Sequence, residues 1–411
     1  MRIRRGSLGP AFGRLWTASA LANLADGVFR VALPLLAVRL TTSPGLVAGV
    51  VVAQRLPWLF LALPAGVLAD RLDRRRTMLR VQLLRAAVLA ALAVAVAAEA
   101  ETMAAIYTAA LVLGVGETLF DTAAQSILPS VVDRSRLSDA NGRLFAVEMT
   151  ANELVGPTVG GLLAALALWS AFATSAGAYL LAAASVAAMA GSYRPVRAAP
   201  PAGIRSEIAE GVRFVWSSPV LRSLAMMLGV SSLALTAWTS VFVLFAVDPG
   251  PMGLSPAGFG LLLSAGAVGG VAGSRAGPAL ERALGRARCL GSSIAALSLA
   301  MLTPVLTASV PANVAALVVT STAIVVWNVI TVSLRQSITP GHVLGRMNAA
   351  YRLVGWGTMP VGAALGGLVA ELAGLRATFL LAALLGATVL AGRAVVTDQA
   401  IARAEEAAGG G

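Results

Sequence analysis

Gln125-Ser126-Ile127-Leu128-Pro129 returns 211 residues later as Gln336-Ser337-Ile338-Thr339-Pro340, and the same offset carries Gly66, Asp70, Arg71 and Arg75 onto Gly277, Glu281, Arg282 and Arg286. Two separated motifs that share one offset mark a duplicated chain. Gly142-Arg143 and Pro157 meet Gly345-Arg346 and Pro360 at an offset of 203, so one loop of the second copy is eight residues shorter. The 411 residues are 58% hydrophobic and 12% charged, with a mean hydropathy of +0.82. Soluble domains run at roughly 45–50% apolar and about 25% charged. The duplicated unit is therefore a membrane unit. At about 20 apolar residues per helical span, each copy has room for six spans and none for a large soluble module.

The composition also removes most catalytic chemistry. All 31 basic residues are Arg, so neither a phosphate-loop lysine nor a Schiff-base lysine exists. One histidine, His342, and one cysteine, Cys289, leave no His/Cys metal cluster, no disulfide and no His-based triad with a histidine to spare. The expectation is a chain that is not an enzyme, with no catalytic residue, no metal site and no cofactor. His342 is assigned no role.

Apolar stretches fall at 13–38, 45–69, 78–98, 102–128, 142–167, 170–191, 220–246, 256–279, 287–307, 311–335, 346–371 and 375–392, predicting an all-α membrane protein of twelve transmembrane helices in two six-helix halves. With the N-terminus placed inside, 25 arginines fall on the inner side and only Arg39 and Arg376 on the outer side; the other four lie within spans. That alternation predicts both termini in the cytoplasm. It also accounts for the net charge of +12 as topology, with the lipid bilayer and not nucleic acid as partner. Arg14 interrupts any signal-peptide core, so the first stretch is expected to be an uncleaved span. The domains read as 1–191, the N-terminal half; 192–219, a cytoplasmic linker; 220–392, the C-terminal half; and 393–411, a cytoplasmic tail expected to be disordered. Within the linker, Ile204, Ile208, Val212, Val215 and Trp216 recur at helical spacing with Arg205, Glu207, Glu210 and Arg213 opposite, predicting an amphipathic helix on the inner leaflet.

Gly66-Val67-Leu68-Ala69-Asp70-Arg71-Leu72-Asp73-Arg74-Arg75-Arg76 resembles the loop signature between the second and third spans of the major facilitator superfamily, with Asp at 73 where Gly is usual. Glu210-Gly211-Val212-Arg213-Phe214-Val215, and Leu128-Pro129 followed by Ala140-Asn141, resemble the branch containing enterobactin exporters and macrolide efflux proteins. Gly156-Pro157 with Gly160-Gly161 resembles the antiporter motif of the fifth span. The resemblance implies alternating access, in which Asp70 with Arg71, Arg74 and Arg75, and in the second half Glu281 with Arg282 and Arg286, form cytoplasmic latches. Small residues four apart on span eight, Gly266, Gly269, Gly270, Gly273 and Gly277, and Gly156/Gly160 with Gly362/Gly366, read as close helix contacts.

Charges inside spans are costly and mark function. Asn23, Asp26 and Arg30 share one face of span one, and Glu117, Asp121 and Gln125 one face of span four. Counted at 1.5 Å per residue from the cytoplasmic end, Asp26, Glu117, Glu153 and Arg55 lie at roughly 17–22 Å, near the midplane. Asp26 and Glu117 are the first candidates for proton coupling, ahead of Asp121, Glu148 and Glu153; a structural ion pair of Asp26 or Glu117 with Arg30 or Arg55 is the competing reading. The second half offers Trp238, Trp327 and Asn328 as cavity candidates. An acidic half opposite an aromatic one suits a cationic or amphiphilic small molecule that displaces a proton. The expected activity is thus a proton-coupled exporter of an antibiotic, siderophore or other secondary metabolite, a monomer in the inner (plasma) membrane. An importer or lipid flippase of the same fold, or a non-transporting receptor, is the alternative.

Overall fold

The computed structural model describes residues 8–191, 193, 204–340 and 343–409, and side chains outside 62–71, 134, 204–208 and 408–409. The side chains of Gly66, Asp70, Arg71, Ile204, Arg205, Glu207 and Ile208, and all of His342, lie outside the described residues.

Helices begin where capping chemistry places them. Proline occupies the first turn of α1 (Pro10–Leu40) and starts α2 (Pro44–Arg71). The Asp73 side chain accepts from the Arg76 N–H at 3.1 Å and caps α3 (Arg74–Ala97), which accounts for Asp where related loops carry Gly. Thr102 caps α4 (Met103–Val131) in the same way. There follow α5 (Leu137–Glu148), a π-helical stretch at Met149–Val155, α6 (Gly156–Leu166) and α7 (Leu168–Ala187). Beyond residue 203 come α8 (Ile204–Ser217), α9 (Pro219–Ala246), α10 (Pro256–Leu284), α11 (Arg286–Met301), α12 (Thr303–Leu306), α13 (Val310–Ile338), α14 (Leu344–Gly357), α15 (Met359–Ala373), α16 (Leu375–Thr388) and α17 (Asp398–Gly409).

Among the described residues, eleven helical segments are long and apolar enough to cross a membrane. The expected fifth span is not one of them. Its residues run through α5, the π-helical stretch and α6, and they carry Arg143, Glu148 and Glu153. The wide turn falls just ahead of Pro157, whose ring nitrogen cannot donate to the preceding turn.

Two expectations are corrected. The tail beyond Thr397 is not disordered but forms α17. Ile401 is buried, Asp398 Oδ1 accepts from the Ala287 N–H at 3.0 Å, and Glu405 Oε1 accepts from Arg286 at 2.6 Å and from the Ser337 hydroxyl at 2.7 Å. Those two donors, Ser337 foremost, hold the Glu405 carboxyl below the usual carboxylate range. The amphipathic α8 does not rest on lipid alone: Val215 is fully buried in an apolar cluster with Leu221 and Met347, and Glu210 pairs with Arg346 of α14.

The chain divides into two compact units. The first comprises residues 1–42, 53–197 and 254–264; the second comprises 43–52, 198–253 and 265–411. Neither is continuous in sequence, because the first turns of α2 and of α10 each group with the other copy. In the second unit, Glu371 of α15 accepts from the Ser43 hydroxyl at 2.8 Å and the Gly45 N–H at 3.1 Å. In the first, the Thr158 and Ser264 hydroxyls are 2.7 Å apart.

Candidate functional site: a polar core in the first unit

Three arginine–carboxylate pairs join helices of the first unit; Asp26–Arg85 is buried, whereas the side chains of Arg30 and Glu153 are 34% and 39% exposed and those of Arg55 and Glu117 31% and 21%. Arg30 of α1 faces the π-helical stretch, where Nη1 donates to Glu153 Oε2 at 3.0 Å, Nη2 pairs with Glu153 Oε1, and Nη2 also donates to Asn152 Oδ1 at 3.1 Å. This two-pronged geometry fixes the guanidinium plane as well as the charge. Arg55 of α2 lies 3.7 Å from Glu117 of α4. Asp26 of α1 pairs with Arg85 of α3, and its Oδ1 also accepts from the Tyr179 hydroxyl of α7 at 2.7 Å. The Arg85 guanidinium lies 4.2 Å from the centre of the Tyr179 ring.

The expected partners of Asp26, Arg30 or Arg55, are therefore replaced. Arg30 takes Glu153, Arg55 takes Glu117, and Asp26 is held by Arg85, which the reading of span faces passed over. Its signal was an arginine well inside an apolar helix. One small residue makes its place, and two others set the approach of α1 and α6. Gly116 of α4 leaves room for the Arg85 stem, since a Cβ there would lie 2.7 Å from Arg85 Cδ. Gly27 and Gly156 bring α1 against the start of α6: a Cβ on Gly27 would meet Gly156 Cα at 2.8 Å. Gly160 backs onto the Val28 backbone and Gly161 onto Gly260, so the antiporter-like motif works here as a packing surface.

Asp121 stands one turn from Glu117 on α4, half-buried, with no hydrogen bond or ion pair among the described residues. Four acids, Asp26, Glu117, Asp121 and Glu153, thus sit with three arginines. Beside them Gln82 of α3 is fully buried, and neither its Oε1 nor its Nε2 has a hydrogen-bond partner.

The second-unit candidates lie elsewhere than expected. Trp238 is buried in an aromatic cluster, stacked on Phe242 at 4.2 Å and tilted against Phe379 at 5.5 Å, with its indole N–H donating to the Met301 carbonyl at 3.1 Å. Trp327 belongs to the apolar core with Ile330 and Tyr351, and Asn328 is exposed. The two tryptophans are core residues of their own unit. Of the latch residues described, Arg75 donates through Nε to the Val186 carbonyl at 3.1 Å and also to Ala187, capping the end of α7. Arg282 bonds its own helix at Pro278, and Glu281 is engaged by Arg286 at 2.9 Å.

Multiple apolar spanning helices around a charged interior define a multi-pass membrane protein that moves small molecules. The family of transmembrane secretion effectors matches residues 8–409, and the chain belongs to that family of major facilitator transporters; it is a transporter, not an enzyme. It is 30% identical over 394 residues to the multidrug efflux pump Tap of Mycobacterium tuberculosis, covering 93% of this chain and 92% of that one. The Tap pump of Mycolicibacterium fortuitum is 30% identical over 382 residues, covering 88% and 90%. The fold is similar to that of the crystal structure of nucleoside transporter NupG, with a TM-score of 0.72 at 14% identity over 94% of this chain and 98% of that chain.

Proposed function

We propose that the chain is a proton-coupled exporter of small cationic or amphiphilic compounds in the plasma membrane, with the stretch 137–166 as the fifth of twelve spans and both termini in the cytoplasm. The observation that carries the reading is Asp121: Arg30, Arg55 and Arg85 are taken by Glu153, Glu117 and Asp26, and Asp121, one turn from Glu117, is a carboxylate in excess of those pairs, with Glu148 a further acid acting on it. An acid in excess of its cations beside the buried Asp26–Arg85 pair favours a bound cation. A proton and a cationic substrate are the two cations an antiporter exchanges, and a site holding one but not both couples their movements. The likeness to multidrug efflux pumps supports outward transport of several compounds and not of one metabolite. The second unit, whose core is aromatic and aliphatic, carries no comparable group of acids among its described residues.

The test is proton release from purified protein when a lipophilic quaternary ammonium dye is added. The Asp26→Asn, Glu117→Gln double variant, which frees two arginines of their counter-charges, is expected to release no proton and to bind the dye more weakly than the wild type. Asp121→Asn, which removes the excess charge outright, is expected to weaken dye binding. Release at wild-type stoichiometry from the double variant places the coupling on other residues.

A further inference from the structure

Met78, Gln82, Arg85 and Leu89 form one buried stripe of α3, a helix-core pattern in which two positions are polar. Gln82 and Arg85 are both 0% exposed. Asp26 engages a single nitrogen of Arg85, Nη2; Nε and Nη1 have no acceptor, and neither polar atom of Gln82 has a partner. Buried polar atoms are nearly always paired, because an unmade hydrogen bond loses more than a made one gains. Here four unpaired atoms sit on one turn of one helix. Residues three apart on a helix are side-by-side neighbours, so an acceptor without a donor adjoins a guanidinium with donors to spare.

We propose that Gln82 is a positioning residue that offers the Arg85 guanidinium a second seat: when Asp26 takes up a proton, the guanidinium turns from the carboxyl group to the Gln82 carbonyl oxygen, and it returns when the proton leaves. The proton adds to a carboxylate oxygen of Asp26, while Arg85 keeps its charge throughout, because a guanidinium does not deprotonate in proteins. A permanent cation at this depth requires an acceptor in both states. Without Gln82, protonation of Asp26 would leave Arg85 only the weaker carbonyl oxygen of a neutral acid, and the loss of its strong acceptor would oppose protonation. The Tyr179 ring beneath the guanidinium serves as a common floor for both seats. The other acids acting on this group are Glu117 and Asp121 of α4. Methionine would fill the stripe equally well, so packing alone does not account for an amide at this position.

This inference rests on the proton-coupled reading and is tested separately from it. With Gln82→Met, which keeps the length of the side chain, dye-induced proton release is expected to fall at least fivefold while dye affinity stays within about twofold, and Gln82→Asn is expected to restore part of the release. Stability supplies a readout independent of transport. Asp26→Asn mimics the protonated acid, so in that background Arg85 depends on Gln82, and the double variant Asp26→Asn, Gln82→Met should melt about 2–4 °C below the sum of the single effects. Wild-type release from Gln82→Met together with additive melting temperatures overturns the second seat alone. Absence of proton release from the wild-type protein overturns the coupling reading, and the second seat with it.

Discussion

Arg85 and Arg335 are both arginines buried within a span, one in each unit, and they are neutralised by different means. Arg85 meets a carboxylate, Asp26, over the ring of Tyr179. Arg335 donates to an amide, Asn348 Oδ1, at 2.6 Å and to the Thr331 carbonyl at 3.2 Å, over the ring of Tyr351 at 4.1 Å. The aromatic floor is common to both, but only the first unit places a titratable group above it. The two arginines are not counterparts under the 211-residue offset, which carries Arg85 onto Ala296, so each unit reaches the arrangement from different positions.

The largest test of this contrast is removal of the two arginines. Arg85→Met leaves Asp26 as an uncompensated buried charge and is expected to cost about 3–5 kcal/mol. Arg335→Met leaves only neutral acceptors behind and is expected to cost about 1–3 kcal/mol. Thermal melting of the two purified variants ranks them; equal losses would erase the distinction between the units.

A smaller effect is expected at paired glycines. Gly156→Ala places a methyl 2.6 Å from the Ala151 carbonyl and 2.8 Å from the Gly27 carbonyl carbon, so backbone must move, at about 1–3 kcal/mol. Gly345→Ala in α14 meets nothing within 4 Å and should stabilise its helix by about 0.5–1 kcal/mol. Opposite signs in melting temperature confirm that close approach, and not glycine content, decides these sites.

The smallest effect concerns α17. Because Glu405 is held below its usual value, the stability it contributes is present above about pH 4.3, the unfolded value, and is lost as pH falls through the lowered one. The melting temperature is therefore expected to lose this contribution only below about pH 5, and at neutral pH, where some thiolate is present, Cys289, which is buried in the same apolar cluster as Ile401, is expected to label slowly with maleimide. Glu405→Gln should raise the labelling rate at neutral pH.

Eleven of the expected apolar spans and the charges within them were legible because each is a pattern along one helix. Asp26, Arg30, Arg55, Glu117 and Glu153 were found by depth alone. Glu117 with Arg55 was one of the expected pairings, but Asp26 with Arg85 and Arg30 with Glu153 were not, since they depend on the rotation of one helix against another, which spacing along a single chain does not encode. Trp238 was misplaced for a related reason: a span apolar on all sides gives no sign of which face meets its own unit. Tyr179 carried no signal at all, being one aromatic in an apolar helix. The order of α17 depends on Arg286 and Ser337, 119 and 68 residues away from Glu405.

The meeting of Gly27 with Gly156 has a mechanical consequence. Two backbones in contact with no side chain between them form a bearing, across which α6 can pivot on α1 without any rotamer changing. The Arg30–Glu153 pair sits one turn from that bearing, about 5 Å, whereas the far end of α6 at Leu166 is about 15 Å away. A lever with those arms magnifies displacement roughly threefold, so a sub-ångström rearrangement where the charges meet becomes a movement of an ångström or more at the rim of the helix.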